Sequence, residues 1–168
     1  MTILALIPTI LEFDAFKRAL TCFGIAGTST QIGKLRGESY MCGQLVAMEG
    51  GLGKTQFAIH AYHGLSNIPQ TSLVICLGSA GGLTKDLNIG DVVVATQTIE
   101  HDFQRGLIPG QLPKFAGDQK TINRIKNNFP FDSIPISVKF GTVASGDESI
   151  VTVERAKEVR DGTGAIAA

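Results

Sequence analysis

Leu73-Val74-Ile75-Cys76-Leu77-Gly78-Ser79-Ala80-Gly81-Gly82 is the stretch whose reading decides the fold. Five apolar residues, bounded by Ser72 and Gly78, suit a central strand covered on both faces. The strand runs directly into a junction of small residues. Such residues let a ligand approach the main chain, exposed amides bind polar atoms, and Ser79 adds a hydroxyl. Two readings stand at this point: a ligand-binding junction, or a plain glycine-rich turn. The spacing is not GxGxxG, which disfavours a dinucleotide.

The elements around this stretch alternate. Ile3–Ile7 reads as a buried strand ended by Pro8, and Leu11–Phe23 as a helix with Phe13, Phe16, Leu20 and Phe23 at helical spacing and Gly24 as its stop. Gln31–Met48 reads as a hairpin or meander, Gly50–Gly53 as a sharp loop, and Lys54–Leu65 as a helix. Beyond the junction, Asp91–Thr96 and Ile136–Val143 read as strands, and Asp118–Asn128 and Val151–Arg160 as helices. Gly164–Ala168 begins a further apolar element that looks like the start of a buried strand. Because buried strands need backbone partners, more chain is expected to follow. The alternation predicts an α/β fold of three layers, a central mixed sheet flanked by helices, in one domain spanning residues 1–168.

Composition narrows the partners. Fifteen basic side chains balance fifteen acidic ones, which argues against a nucleic-acid surface. No stretch is long and apolar enough to span a bilayer, and no basic region precedes the first apolar run. Cys22, Cys42 and Cys76 are odd in number and lack CxxC spacing, which fits a reducing cytoplasm better than a disulfide framework or a zinc knuckle. Cys76 reads as a small core residue.

Several motifs invite sharper readings. Gly53-Lys54-Thr55 suggests a phosphate loop, but Met48 stands where that pattern needs its first glycine. A tight loop entering a helix is the favoured reading, its glycines free to take positive φ. His60 and His63 have metal-ligand spacing without an evident third ligand, and no metal or cofactor is expected. Glu12 is either a helix N-terminal carboxylate favoured by the macrodipole or a carboxylate at the ligand-binding edge of a sheet, and spacing alone does not choose. Ser145-Gly146-Asp147-Glu148 forms a second small-residue junction after a strand.

Taken in order, these pieces resemble the nucleoside phosphorylase and nucleosidase superfamily, with the nearest likeness to its 5′-methylthioadenosine/S-adenosylhomocysteine nucleosidases. The matching residues are Glu12, Gly51-Leu52-Gly53-Lys54, Leu77–Gly82, Gly90-Asp91-Val92-Val93, His101-Asp102, Gly110-Gln111-Leu112-Pro113 and Ser145-Gly146-Asp147. The resemblance implies cleavage of a purine nucleoside's N-glycosidic bond through an oxocarbenium-like transition state. In it Glu12 positions water, Ser79 lies near ribose and water, and Leu52 lies near the sugar. Gly78, Ala80 and Gly81 line the base-side junction. The family assembles as dimers or larger, which implies a homo-oligomer in which Leu112 and Pro113 of one copy close the substrate pocket of another.

Three departures qualify the resemblance. Ser149 stands where nucleosidases stack an aromatic on the purine, although Ile150 keeps the apolar position that follows. This leaves base preference open and keeps futalosine-type substrates in view. Cys76 stands where the phosphorylases place an arginine for phosphate, and a thiol cannot pair with phosphate as a guanidinium does. Water is therefore the expected nucleophile. Finally, the ribose-gripping glutamate and the Ser-Asp pair bearing the general acid would follow Ala168. The resemblance thus covers the first two-thirds or so of a family member, and the chain alone is expected to be inactive. A purine nucleoside phosphorylase and a non-catalytic nucleoside-binding remnant remain as alternatives.

Overall fold

Leu4, Ala5, Leu6 and Ile7 are each buried to 1% or less, so the strand that holds them, β1 (Thr2–Ile7), is covered on both faces. The structure is a computed structural model and describes residues 1–103 and 111–168. In it the chain packs as two units, Met1–Ser79 and Ala80–Ala168.

The first unit is a five-stranded sheet in the order β2-β3-β4-β1-β5. Its other strands are β2 (Thr28–Thr30), β3 (Ser39–Cys42), β4 (Leu45–Glu49) and β5 (Thr71–Cys76). β1 runs parallel to β4 and to β5, while β3 is antiparallel to β4 and to β2. Alternation along β1 sends its side chains to opposite faces. Leu4 and Leu6 join Val46, Met48 and Ile68 under Phe57 and Ala61 of α2 (Gly53–Asn67). Ala5 and Ile7 join Ala47 under Phe13 and Phe16 of α1 (Ile10–Cys22). Helix, sheet and helix make three layers within this unit.

The second unit holds a three-stranded mixed sheet. β6 (Val92–Glu100) lies between antiparallel β7 (Lys114–Ala116) and parallel β8 (Val138–Ser145). α3 (Gln119–Asn128) starts at Asp118, whose carboxylate accepts the Thr121 amide at 2.7 Å, and buries Ile122. α4 (Val153–Thr163) starts at Thr152 and stops at Gly164, whose φ of +71° is the usual left-handed helix end. The residues after it are paired on both sides. Ala168 exchanges backbone hydrogen bonds with Gly81 at 2.7 and 3.0 Å, and Ala144 donates to Ala167 at 2.8 Å. Ala165 joins Leu83, Ala144 and Val159 in the core.

The mixed α/β class expected from the alternation is what the chain adopts, but two local readings need correction. Leu73–Leu77 does not hold the central place in its sheet. Among the described residues β5 is the edge strand, pairing with β1, and it alternates half-buried and exposed residues. An unbroken apolar run does not report how many neighbours a strand has. Cys76, at the end of β5, is exposed rather than part of the core. β2 and β7 were not legible either, being three residues each and strongly polar or exposed. Among the described residues, no helix is long and apolar enough to cross a membrane.

Burial sets the energetics. Leu6→Ala should cost about 2–5 kcal/mol in urea denaturation, through lost transfer energy and a residual cavity between β1 and α2. Ile89, fully exposed, should tolerate alanine to within about 0.5 kcal/mol. Equal effects at the two positions would contradict the assigned core.

Candidate functional site

The parallel strands β1, β4 and β5 all point one way, so the residues that follow them gather at one edge of the sheet. Ile7 is in register with Glu49, and Leu6 with Cys76. The Gly50 amide donates to Ile7 O at 2.7 Å, and the Leu77 amide to Leu6 O at 2.9 Å, carrying the pairing past the strand ends. Open α/β sheets bind ligands at this carboxyl edge.

Glu12 stands there, in the first turn of α1. Thr9 and Glu12 form a capping box: the Thr9 hydroxyl accepts the Glu12 amide at 3.2 Å, and Glu12 Oε2 accepts the Thr9 amide at 3.0 Å and its hydroxyl at 2.8 Å. The other carboxylate oxygen faces β5. Glu12 Oε1 accepts both the Ser79 amide at 2.7 Å and the Ser79 hydroxyl at 2.6 Å. Glu12 thus caps its helix, as the first expected reading has it, and the same side chain reaches the glycine-rich junction at the sheet edge. Gly78 permits the approach, because a Cβ there would lie 3.2 Å from Oε1 and 3.2 Å from the Pro8 ring.

Electrostatics follow from these contacts. Burial pushes the Glu12 carboxyl up, but hydrogen bonds from Ser79 and Thr9 outweigh it and hold the group below the ordinary glutamate range. The Cys76 thiol is pushed the other way, first by burial and then by the Glu12 charge. Although exposed by area, this thiol is crowded enough to stay neutral, and the negative carboxylate beside it is unfavourable for an anion.

Leu52 is the N-cap of α2 and is 68% exposed, in the loop after β4. Gly51 and Gly53 flank it with φ of +78° and +79°, as the tight-loop reading of Gly53-Lys54-Thr55 expects. The two histidines of α2 are tied to main-chain carbonyls, His60 to Glu49 O at 2.8 Å and His63 to Ile32 O at 2.7 Å. Each ring fastens α2 to a neighbouring segment.

In the second unit, Ala80 and Gly81 are exposed, and the Gly81 backbone is fixed by Ala168. β6 and β8 end side by side: the His101 amide donates to Ser145 O at 3.0 Å, and the Asp147 amide to Asp102 Oδ2 at 2.6 Å. Ile150 packs on the Leu83–Ala144–Val159 core, and Ser149 is exposed. Glu148 is held bidentately by Arg155, whose Nε and Nη2 each donate at 2.7 Å, and this guanidinium lowers the Glu148 carboxyl. Leu112 and Pro113 are half-buried. Gly110, which opens their loop, lies outside the described residues.

Sequence reasoning passed over Thr9 and Arg155. Thr9 had a signal, since Thr-x-x-Glu before an apolar run is a capping-box pattern. Arg155 had none beyond its place in a charged helix.

A family model described as the phosphorylase superfamily matches residues 3–168. Among similar proteins is a 5′-methylthioadenosine/S-adenosylhomocysteine nucleosidase of Bacillus subtilis, 33% identical over 124 residues, which cover 70% of this chain and 53% of that protein. A protein of the same name from Haemophilus influenzae is 29% identical over 135 residues, or 76% of this chain and 56% of that one. The chain thus spans about half the length of the curated relatives it matches. The solved Neisseria meningitidis nucleosidase of that name, in complex with methylthio-immucillin-A, superposes with a TM-score of 0.81 at 24% identity, covering 99% of this chain and 74% of that one. A futalosine hydrolase mutant of Helicobacter pylori superposes with a TM-score of 0.79 at 19% identity, covering 99% and 78%. These likenesses show the shared fold.

The clamp on Glu12 has a pH signature. A carboxyl lowered on folding contributes stability above its unfolded pKa, about 4.3, and loses it as pH falls through the lowered folded value. The urea midpoint of the native chain should therefore exceed that of Glu12→Gln most clearly above about pH 5, and the gap should close in acid below about pH 4. A gap independent of pH would contradict the clamp.

Proposed function

The chain belongs to the phosphorylase superfamily, and from that premise we propose that it carries the water-side half of a purine nucleosidase site, for hydrolysis of an N-glycosidic bond. One observation carries this reading: Ser79, 67 residues along the chain from Glu12, donates twice to its carboxylate. The pair joins a helix-capping carboxylate to the small-residue junction after β5, at the sheet edge where α/β folds take ligands.

The chemistry follows from the charge. As the base departs, positive charge grows on the sugar, and an ionised carboxylate nearby stabilises it. The same carboxylate orients water and accepts its proton. In this reading the exposed Leu52 is the apolar contact of the sugar, as the family resemblance implies. Hydrolysis is favoured over phosphorolysis because Cys76 stays neutral beside the Glu12 charge, and Pro8–Leu11 contains no arginine or lysine. No metal or cofactor is required by these steps. A cytosolic homo-oligomer, with Leu112 and Pro113 facing a neighbouring copy, belongs to the same reading.

Substrate choice within the purine nucleosides is left wide by the base side. Ser149 supplies no ring to stack, and Glu148 beside it is engaged by Arg155. Methylthioadenosine, S-adenosylhomocysteine and futalosine-type nucleosides are all candidates. A second reading is nucleoside binding without cleavage, in which the Glu12–Ser79 pair holds a ligand rather than a reacting water.

Calorimetry and adenine release separate these readings. The polypeptide should bind methylthioadenosine and gain nothing from added phosphate. Release of adenine without phosphate is the outcome of the hydrolytic reading, and binding with no release is that of the second. Phosphate-dependent release with ribose 1-phosphate as product would contradict the hydrolytic reading, and absence of binding would contradict the site.

A further inference from the structure

We propose that Thr9 is a positioning residue for the Glu12 carboxylate: by holding Oε2 in the capping box, it presents Oε1 to Ser79 and to the attacking water. The second half of this statement rests on the nucleosidase reading above, and the first half stands on geometry alone.

A carboxylate has about four lone-pair sites. In Glu12 four donors meet them, two from Thr9 on Oε2 and two from Ser79 on Oε1. For the group to receive a proton from water, one donor must turn aside. The two amides are fixed by the backbone. The Thr9 hydroxyl is committed twice, donating to Oε2 and accepting the Glu12 amide, so turning it would uncap α1. The Ser79 hydroxyl is exposed and is the freer rotor. Opening therefore falls on the Oε1 side. The Oε2 side acts as the fixed pivot, and it fixes Glu12 through the start of the same helix that buries Phe13.

The surroundings agree. Gly78, just past β5, leaves the space that Oε1 occupies, since a Cβ there would lie 3.2 Å from Oε1. The Cys76 thiol at the end of β5 is pushed up by burial first and by the Glu12 charge second.

The test uses the polypeptide labelled with 13C at glutamate carboxyls, with the Glu12 signal identified by its loss in Glu12→Gln. Thr9→Gly keeps a tolerated N-cap but removes the hydroxyl. It should raise the Glu12 titration midpoint, while Thr9→Ser should leave it where it is. A merely structural cap would not behave this way: an unchanged midpoint in Thr9→Gly, with helix content retained, would overturn the proposal. In a second arm, methylthioadenosine is added and amide shifts are read. Ser79 should move and Thr9 should hold still, whereas equal movement at Thr9 would count against a fixed pivot. If neither amide moves, the nucleoside reading fails, and the titration still decides whether Thr9 sets the carboxylate.

Discussion

The double hydrogen bond from Ser79 to Glu12 depends on one constraint, the parallel pairing of β1 with β5. That pairing places the loop after β1 beside the loop after β5. The carboxylate at the start of α1 is then within reach of the main chain at Ser79. The cores on the two faces of β1 serve the same end. Leu4 and Leu6 fix α2 on one face, Ala5 and Ile7 fix α1 on the other, and α1 carries Glu12. A slip of one residue in β1 would exchange those two sets and move the carboxylate from the edge.

Much of this was legible in the sequence, for identifiable reasons. α1 and α2 announce themselves by apolar spacing and by glycines at their ends, and Ile3–Ile7 by an apolar run closed by Pro8. Glu12 was legible as a helix carboxylate or as a ligand carboxylate, and nothing local chooses between them; the structure shows the cap and the contact with Ser79. Its meeting with Ser79 is a tertiary event across 67 residues, visible in the sequence only through the family resemblance. The place of β5 at the sheet edge was hidden for a related reason, since apolar content does not encode which strands lie alongside. Thr9 was overlooked although its spacing to Glu12 is a known signature.

The second unit supplies a contrasting lesson. The junction after β8 was legible as small residues following a strand, and the structure shows what holds it: His101 and Asp102 take its backbone groups, and Arg155 takes Glu148. The substitution of an aromatic by Ser149 is thus accompanied by an ion pair one residue away. Ser149 is exposed, beside a carboxylate that Arg155 engages. Ile150, expected to face a ligand, is half-buried and packs against the cluster of Leu83, Ala144 and Val159.

The central claim is that an ionised Glu12 faces the sugar of a nucleoside. It is tested most directly by comparing, in calorimetry, a nucleoside analogue whose sugar ring carries a protonated amine with its neutral isostere. The native chain should bind the cationic analogue the tighter, by roughly tenfold, or about 1.4 kcal/mol, and Glu12→Gln should erase the difference. Equal affinity for the two analogues in the native chain, or a preference that survives in Glu12→Gln, would contradict the account.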